Sequence, residues 1–124
     1  MNGAIQALDE KGFIIDEKDV FWVPGAFELP AKVKSLANTS NYKCIIALGC
    51  VIKGETDHYH YISKTVASGI MSVTLEIESV NIIFGVLTCQ NKELALARSG
   101  DDLTSNKGYE AGIAAISLIH SDNI

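Results

Sequence analysis

The sequence predicts an α/β protein built as a doubly wound layer, with helices on both faces of a parallel sheet. Three observations carry that expectation. Two continuous apolar runs, Tyr42 to Leu48 and Val80 to Leu87, have the length and composition of strands covered on both faces. Between them, after Thr56, the residues Tyr59, Ile62, Val66, Ile70, Val73 and Ile77 recur every three or four positions, which is the stripe of one long helix. Helical and strand patterns then alternate along the chain, as a layered α/β fold requires.

The chain opens with a short helical pattern from Asn2 to Lys11. Ala4, Ile5 and Leu8 share its inner face, and Gly12 supplies the stop. Asp19 to Val23 reads as a short strand ended by Pro24-Gly25. Leu29 to Ala37 returns to helix, with Pro30 tolerated in the first turn. Asn91 to Arg98 is a short helix stopped near Gly100, and Gly100 to Gly108 is a polar loop. The last helix runs from about Tyr109 to Ile119. Ala111, Ala114, Ala115 and Leu118 make one of its faces, while Ile113 and Ile116 lie off that stripe. Such a helix is apolar on several sides, which fits either a subunit contact or a place deep in its own domain.

The opening helix has no strand before it, whereas a crossover helix in a βαβ design follows a parallel strand. The expectation is therefore a native protein that is longer, with Met1 an internal methionine or a truncated start. The 124 residues suit one domain spanning 1–124 and shortened at its N-terminus. That length buries a core with little to spare.

Hydrophobic residues make up 48% and charged residues 20%, a globular composition rather than a disordered one. The formal net charge of −5, without any run of Lys and Arg, argues against a nucleic-acid surface. Cys44, Cys50 and Cys89 are odd in number and widely spaced, with no C-x-x-C pair for zinc or thiol exchange. They suit a reducing compartment, the cytoplasm. No apolar run approaches the roughly 18 residues of a membrane span, and no basic segment followed by an apolar one opens the chain as a secretory signal would.

Ligands of open parallel sheets bind at the carboxyl ends of the strands. Three segments end there: Val23-Pro24-Gly25-Ala26-Phe27-Glu28, the stretch from Gly49 to His58, and Phe84-Gly85-Val86-Leu87-Thr88. Together they bring an aromatic ring, a carboxylate, a hydroxyl, two Gly-rich turns and a histidine to one rim. His58 opens the long helix, where the positive end of the dipole disfavours its protonated form and suits it to accept or relay a proton. A solitary histidine at a helix start more often only bonds its neighbours. The Gly-rich approach and the strand-end position favour the functional reading here.

His60, two residues on, does not share a helical face with His58, and no third ligand is evident, so a metal is not expected. His120 sits at the end of the last helix, where it meets carbonyls and solvent. Gly54-Glu55-Thr56-Asp57 leads into the helix N-terminus, a ready anion site, although Thr56 or Asp57 also suits a plain N-cap. Arg98 and Lys107 flank the polar loop. The Arg98 fork suits a phosphate, but a single surface cation is by default a solvated charge. Phe27 is by default a core residue and Glu28 a first-turn charge; a pocket would make Glu28 an acceptor for a polyol.

At these residues the sequence resembles the lumazine synthase family of riboflavin biosynthesis. The matching stretches are WVPGAFELP at 22–30, ALGCVIKGETDHYHYI at 47–62, IIFGVLT at 82–88, LARSG at 96–100 and NKGYEA at 106–111. They stand in the family's order and near its spacing, and cover the chain from about Gly3 to Ile119. The resemblance implies a flavodoxin-like, three-layer αβα fold with a parallel sheet. It implies a cytoplasmic, cofactor-free homopentamer, sometimes assembled as a 60-subunit shell, with riboflavin synthase as a further partner. The implied reaction joins 5-amino-6-(D-ribitylamino)uracil to 3,4-dihydroxy-2-butanone 4-phosphate, giving 6,7-dimethyl-8-ribityllumazine, phosphate and water.

Carried over by motif, His58 is the catalytic histidine. Glu55, Thr56, Arg98 and Lys107 hold the phosphate. Ala26, Phe27, Glu28, Cys50, Val51 and Ile52 line the pyrimidine and ribityl side, and Phe84 is contributed across the subunit interface. The resemblance thus turns Arg98 and Phe27 from default surface and core residues into expected ligands. Two departures stand out. The family's first strand, with the aromatic residue after it, is absent. The segment Asp101-Asp102-Leu103-Thr104-Ser105 also differs from the Lys/Ala/Gly-containing loop of many shell-forming members. Two other readings stay open at this point. One is a module of the same fold that binds a flavin without chemistry; the other is a scaffold with a vestigial pocket. Product formation from the two substrates separates the enzyme from both.

Overall fold

The computed structural model describes residues 1–53 and 58–122. Their order is α1 (Asn2–Glu10), α2 (Leu29–Ala37), β1 (Cys44–Ile52), α3 (His58–Glu76), β2 (Asn81–Cys89), α4 (Lys92–Ala97) and α5 (Lys107–Asp122). Pro30 sits in the first turn of α2, where its missing N–H would have no intrahelical partner. The Asn91 side chain caps α4 by accepting from the Leu94 N–H at 2.9 Å.

β1 and β2 pair in parallel, from Cys44 opposite Asn81 to Ile52 opposite Cys89. Side chains alternate across a strand, so the register sorts the apolar runs into two layers. On one face Ile45 and Ala47, with Ile82 and Val86, meet Leu29, Val33 and Ala37 of α2 and Val66, Ile70 and Val73 of α3. The anticipated stripe of α3 is thus its buried face, with Ile62 and Ile77 packed at its ends. On the other face Cys44, Ile46, Leu48 and Ile83 meet Ala111 and Ala115 of α5. The result is an α/β layer with a parallel sheet flanked by helices, as the sequence predicts. Each fully buried Val, Leu or Ile of these layers contributes about 1.5–3 kcal/mol.

The α5 face is packed through small residues. A Cβ on Gly85 would lie 2.7 Å from Leu48 Cδ2 and 3.3 Å from Ala111 Cβ, so a bare backbone lets α5 settle on the strands. α1 in turn rests on α5, where a Cβ on Gly112 would lie 2.6 Å from Ala7 Cβ and 3.0 Å from the Ala4 carbonyl oxygen. This contact corrects the expected face of α5. The buried residues are Ala111, Gly112, Ala115 and Ile116, whereas Ala114 and Leu118 are exposed. Covering by α1 on the Gly112 side turns the buried stripe away from the Ala114–Leu118 side.

The expected strand over Asp19 to Val23 does not form. A 3-10 turn covers Glu17–Asp19, with Asp16 Oδ1 accepting from the Lys18 N–H at 3.2 Å; Val20 is extended, but residues 20–23 join no strand. β-rich residues become a strand only where a ladder partner lies within reach, and among the described residues β1 pairs with β2 alone. Side chains hold the segment instead. Phe21 meets the Tyr42 ring edge-on, with centroids 6.1 Å apart, Lys32 Nζ lies 5.1 Å above the Phe21 ring, and the Tyr42 hydroxyl bonds Asp19 at 3.2 Å. Among the described residues no helix is long and apolar enough to cross a membrane.

Candidate functional site

A cleft of about 450 Å³ opens at the carboxyl ends of the strands, within the range of small-molecule sites. Leu48, Gly49 and Cys50 of β1 and Gly85 and Leu87 of β2 form its floor. Met1, Asn2, Gly3 and Trp22 also line it. Arg98 and Ser99, with Asn106, Lys107 and Gly108 at the start of α5, complete it. Three expected site residues, Cys50, Arg98 and Lys107, therefore share one cleft although 57 positions separate the first from the last.

Arg98 is placed by the loop that follows it. Its Nε donates to the Ser105 carbonyl at 3.0 Å and its Nη2 to Glu110 Oε2 at 2.8 Å, while its own carbonyl accepts from the Lys107 N–H at 2.7 Å. The loop thus folds back on Arg98 and sets Lys107 beside it. Asn106 locks the arrangement. It is 6% exposed, its Nδ2 donates to the Gly100 carbonyl at 2.8 Å, and its Oδ1 accepts from the Tyr109 N–H at 2.9 Å as the cap of α5. With two guanidinium nitrogens committed to protein partners, Arg98 is oriented rather than free to sweep, which lowers the entropy lost on meeting an anion.

Cys50 faces the cleft as a thiol. Burial, followed by the nearby Cys89 thiol, pushes its pKa up from the ordinary value, so it presents a neutral S–H at physiological pH. Its neighbours in sequence point the other way. Val51 packs with the α2/α3 layer, as does Ala26, whose Cβ would lie 3.7 Å from a Cβ placed on Gly49. Phe84 lies opposite Ala47 on that same face and is 38% exposed. Phe27, Glu28 and Ile52 are exposed, and none of them lines the cleft. His58 is exposed at the first residue of α3, also outside the lining. Glu55 and Thr56 lie outside the described residues.

The structure therefore divides the expected site between the two faces of the sheet. Cys50, Arg98 and Lys107 gather on the α5 side. Ala26, Val51 and Phe84 lie on the α2/α3 side. Most of the cleft lining was not marked by the motifs as site residues, Asn106 and Trp22 among them. Asn106 was legible in principle, because an Asn three positions before the Tyr109 N–H is an N-cap signal. Trp22 carried no such mark, since its position depends on the unpaired path of residues 20–24. A family model described as 6,7-dimethyl-8-ribityllumazine synthase matches residues 1–123.

Proposed function

The chain belongs to the 6,7-dimethyl-8-ribityllumazine synthase family, transferases of riboflavin biosynthesis, and from that premise we propose that it makes 6,7-dimethyl-8-ribityllumazine itself. Its substrates are 5-amino-6-(D-ribitylamino)uracil and 3,4-dihydroxy-2-butanone 4-phosphate; phosphate and water leave. The observation that carries the reading is the convergence of Arg98 and Lys107 on a cleft at the strands' carboxyl ends, two cations set side by side by one locked loop.

The nucleophile is the substrate's own amine, so the protein's work is placement and proton movement without a cofactor. Holding amine and ketone together is worth about 7–11 kcal/mol of barrier. Arg98 and Lys107, with Glu55 and Thr56, hold the phosphate until it departs. His58 moves protons during imine formation, elimination and ring closure, help typically worth about 10²–10⁴-fold. Ala26, Phe27, Glu28, Cys50, Val51 and Ile52 line the pyrimidine and ribityl side.

The two faces of one protomer's sheet carry different halves of this set, which supports a site completed between neighbours. Arg98 and Lys107 of one protomer then serve the histidine of the next, and Phe84, on the opposite face of the sheet, is also contributed across a subunit boundary, in a cytoplasmic homopentamer or a 60-subunit shell, with riboflavin synthase as a partner. Mixing the two substrates with the purified chain and following the lumazine absorbance tests the reading. Product should appear, and His58→Ala should slow it by about 10²-fold or more. Absence of product with the parent chain refutes the proposal.

A further inference from the structure

We propose that Glu110 is a positioning residue for the phosphate-bearing substrate, holding Arg98 on its aim from outside the cleft, an inference that rests on the reaction proposed above. Arg98 lines the cleft and Glu110 does not. Glu110 Oε2 accepts from Arg98 Nη2 at 2.8 Å, with the Arg98 side chain 43% and the Glu110 side chain 51% exposed. Among the described residues two groups hold the guanidinium. The Ser105 carbonyl, at 3.0 Å from Nε, is neutral backbone, so Glu110 supplies the stronger, doubly charged contact. Nε and one Nη2 hydrogen are thereby engaged, which leaves Nη1 for a phosphate oxygen.

The first turn of α5 explains why this carboxylate is available. Lys107 and Glu110 stand three positions apart on that helix, close enough for an ion pair of their own. The carboxylate is spent on Arg98 instead, 12 positions away. Among the described residues the ion pairs are Arg98 with Glu110 and Lys34 with Glu76, so the Lys107 ammonium keeps its charge for the cleft it lines. The brace is itself fixed. The Glu110 N–H donates to the Asn106 carbonyl at 3.1 Å, and Asn106 is the buried residue that ties the loop to Gly100. A free arginine side chain must give up its rotamers on meeting an anion, which weakens binding about two- to tenfold. The Glu110 charge is half-exposed and screened by water, so its repulsion of an arriving anion is smaller than the aim it provides. One helical turn thus supplies both the second cation of the site and the brace of the first.

The test compares the parent chain with Glu110→Ala and Glu110→Gln. Inorganic phosphate, read by calorimetry, reports the anion site directly, and steady-state kinetics with the two substrates give a KM for each. Glu110 belongs to neither core layer, and both variants lose the same first-turn charge of α5, so the acceptor offered to Arg98 is what separates them. The expected result for Glu110→Ala is a loss of about two- to tenfold in phosphate affinity, with a matching rise in KM for the phosphate-bearing ketone and none for the pyrimidine. Glu110→Gln keeps an oxygen acceptor at the same reach and restores both values. Equal phosphate affinity in the parent and Glu110→Ala, tighter binding in both variants, or a loss that Glu110→Gln does not restore overturns the inference, as does a parent chain that binds no phosphate. A parent that makes product while Glu110→Ala keeps the parent's phosphate affinity and KM values removes the positioning role and leaves the proposed reaction standing. A loss of phosphate affinity in Glu110→Ala, restored in Glu110→Gln, with no turnover in the parent does the reverse.

Discussion

The two faces of the sheet are built from different residues and do different work. The α2/α3 face is packed with branched aliphatics, Val33, Ile45, Val66, Ile70, Val73, Ile82 and Val86, which form one buried cluster against the strands. On the α5 face Ala111 and Ala115 of the helix meet Ile46, Leu48 and Ile83 of the strands, and Gly85 and Gly112 let α1, α5 and the strands approach closely. Where that close packing ends, at the carboxyl end of the strands, the side chains are Cys50, Arg98, Lys107 and Trp22, and a cleft opens. Bulk on one side fixes the fold. Small residues on the other let a helix end and its loop be positioned within reach of a ligand.

Truncating a side chain deep in the aliphatic face breaks the comparison most strongly. Ile70 is 2% exposed, so Ile70→Ala should cost about 2–5 kcal/mol, seen as a lower denaturant midpoint, while phosphate affinity of the folded fraction stays at the parent value. A large drop in that affinity would show that the two faces are not separable. Asn106→Ala sharpens the other half. Losing the cap should cost only about 0.5–2 kcal/mol by thermal unfolding, yet the freed loop should weaken phosphate binding by more than that fraction of stability implies. Calorimetric titration with inorganic phosphate checks this, and unaltered affinity would detach the loop's order from the site.

The sequence was most legible where one periodicity dominated. The α3 stripe and both strands stand as their apolar patterns indicate, because each pattern matches a face that the chain itself covers. It misled where a partner decides the outcome. Val20, Phe21, Trp22 and Val23 have strand chemistry without a ladder to join, and α5 buries the side that α1 happens to cover. The site behaved in the same way. The motifs located the strand ends, but adjacent letters such as Cys50 and Val51 fall on opposite faces, and only the register separates them. Arg98 illustrates the remainder, since its orientation is set by Ser105 and Glu110, contacts that no spacing in the sequence announces.

The central claim is that the cleft on the small-residue face is an anion site held by Arg98 and Lys107. Calorimetric titration of the parent chain and of Arg98→Gln with inorganic phosphate tests it most directly, with far-UV circular dichroism confirming that α5 is retained. The expected result is saturable binding by the parent and at least a tenfold loss in the variant, in keeping with a charge-assisted hydrogen bond removed from the site. Equal phosphate affinity in the two proteins would contradict the claim.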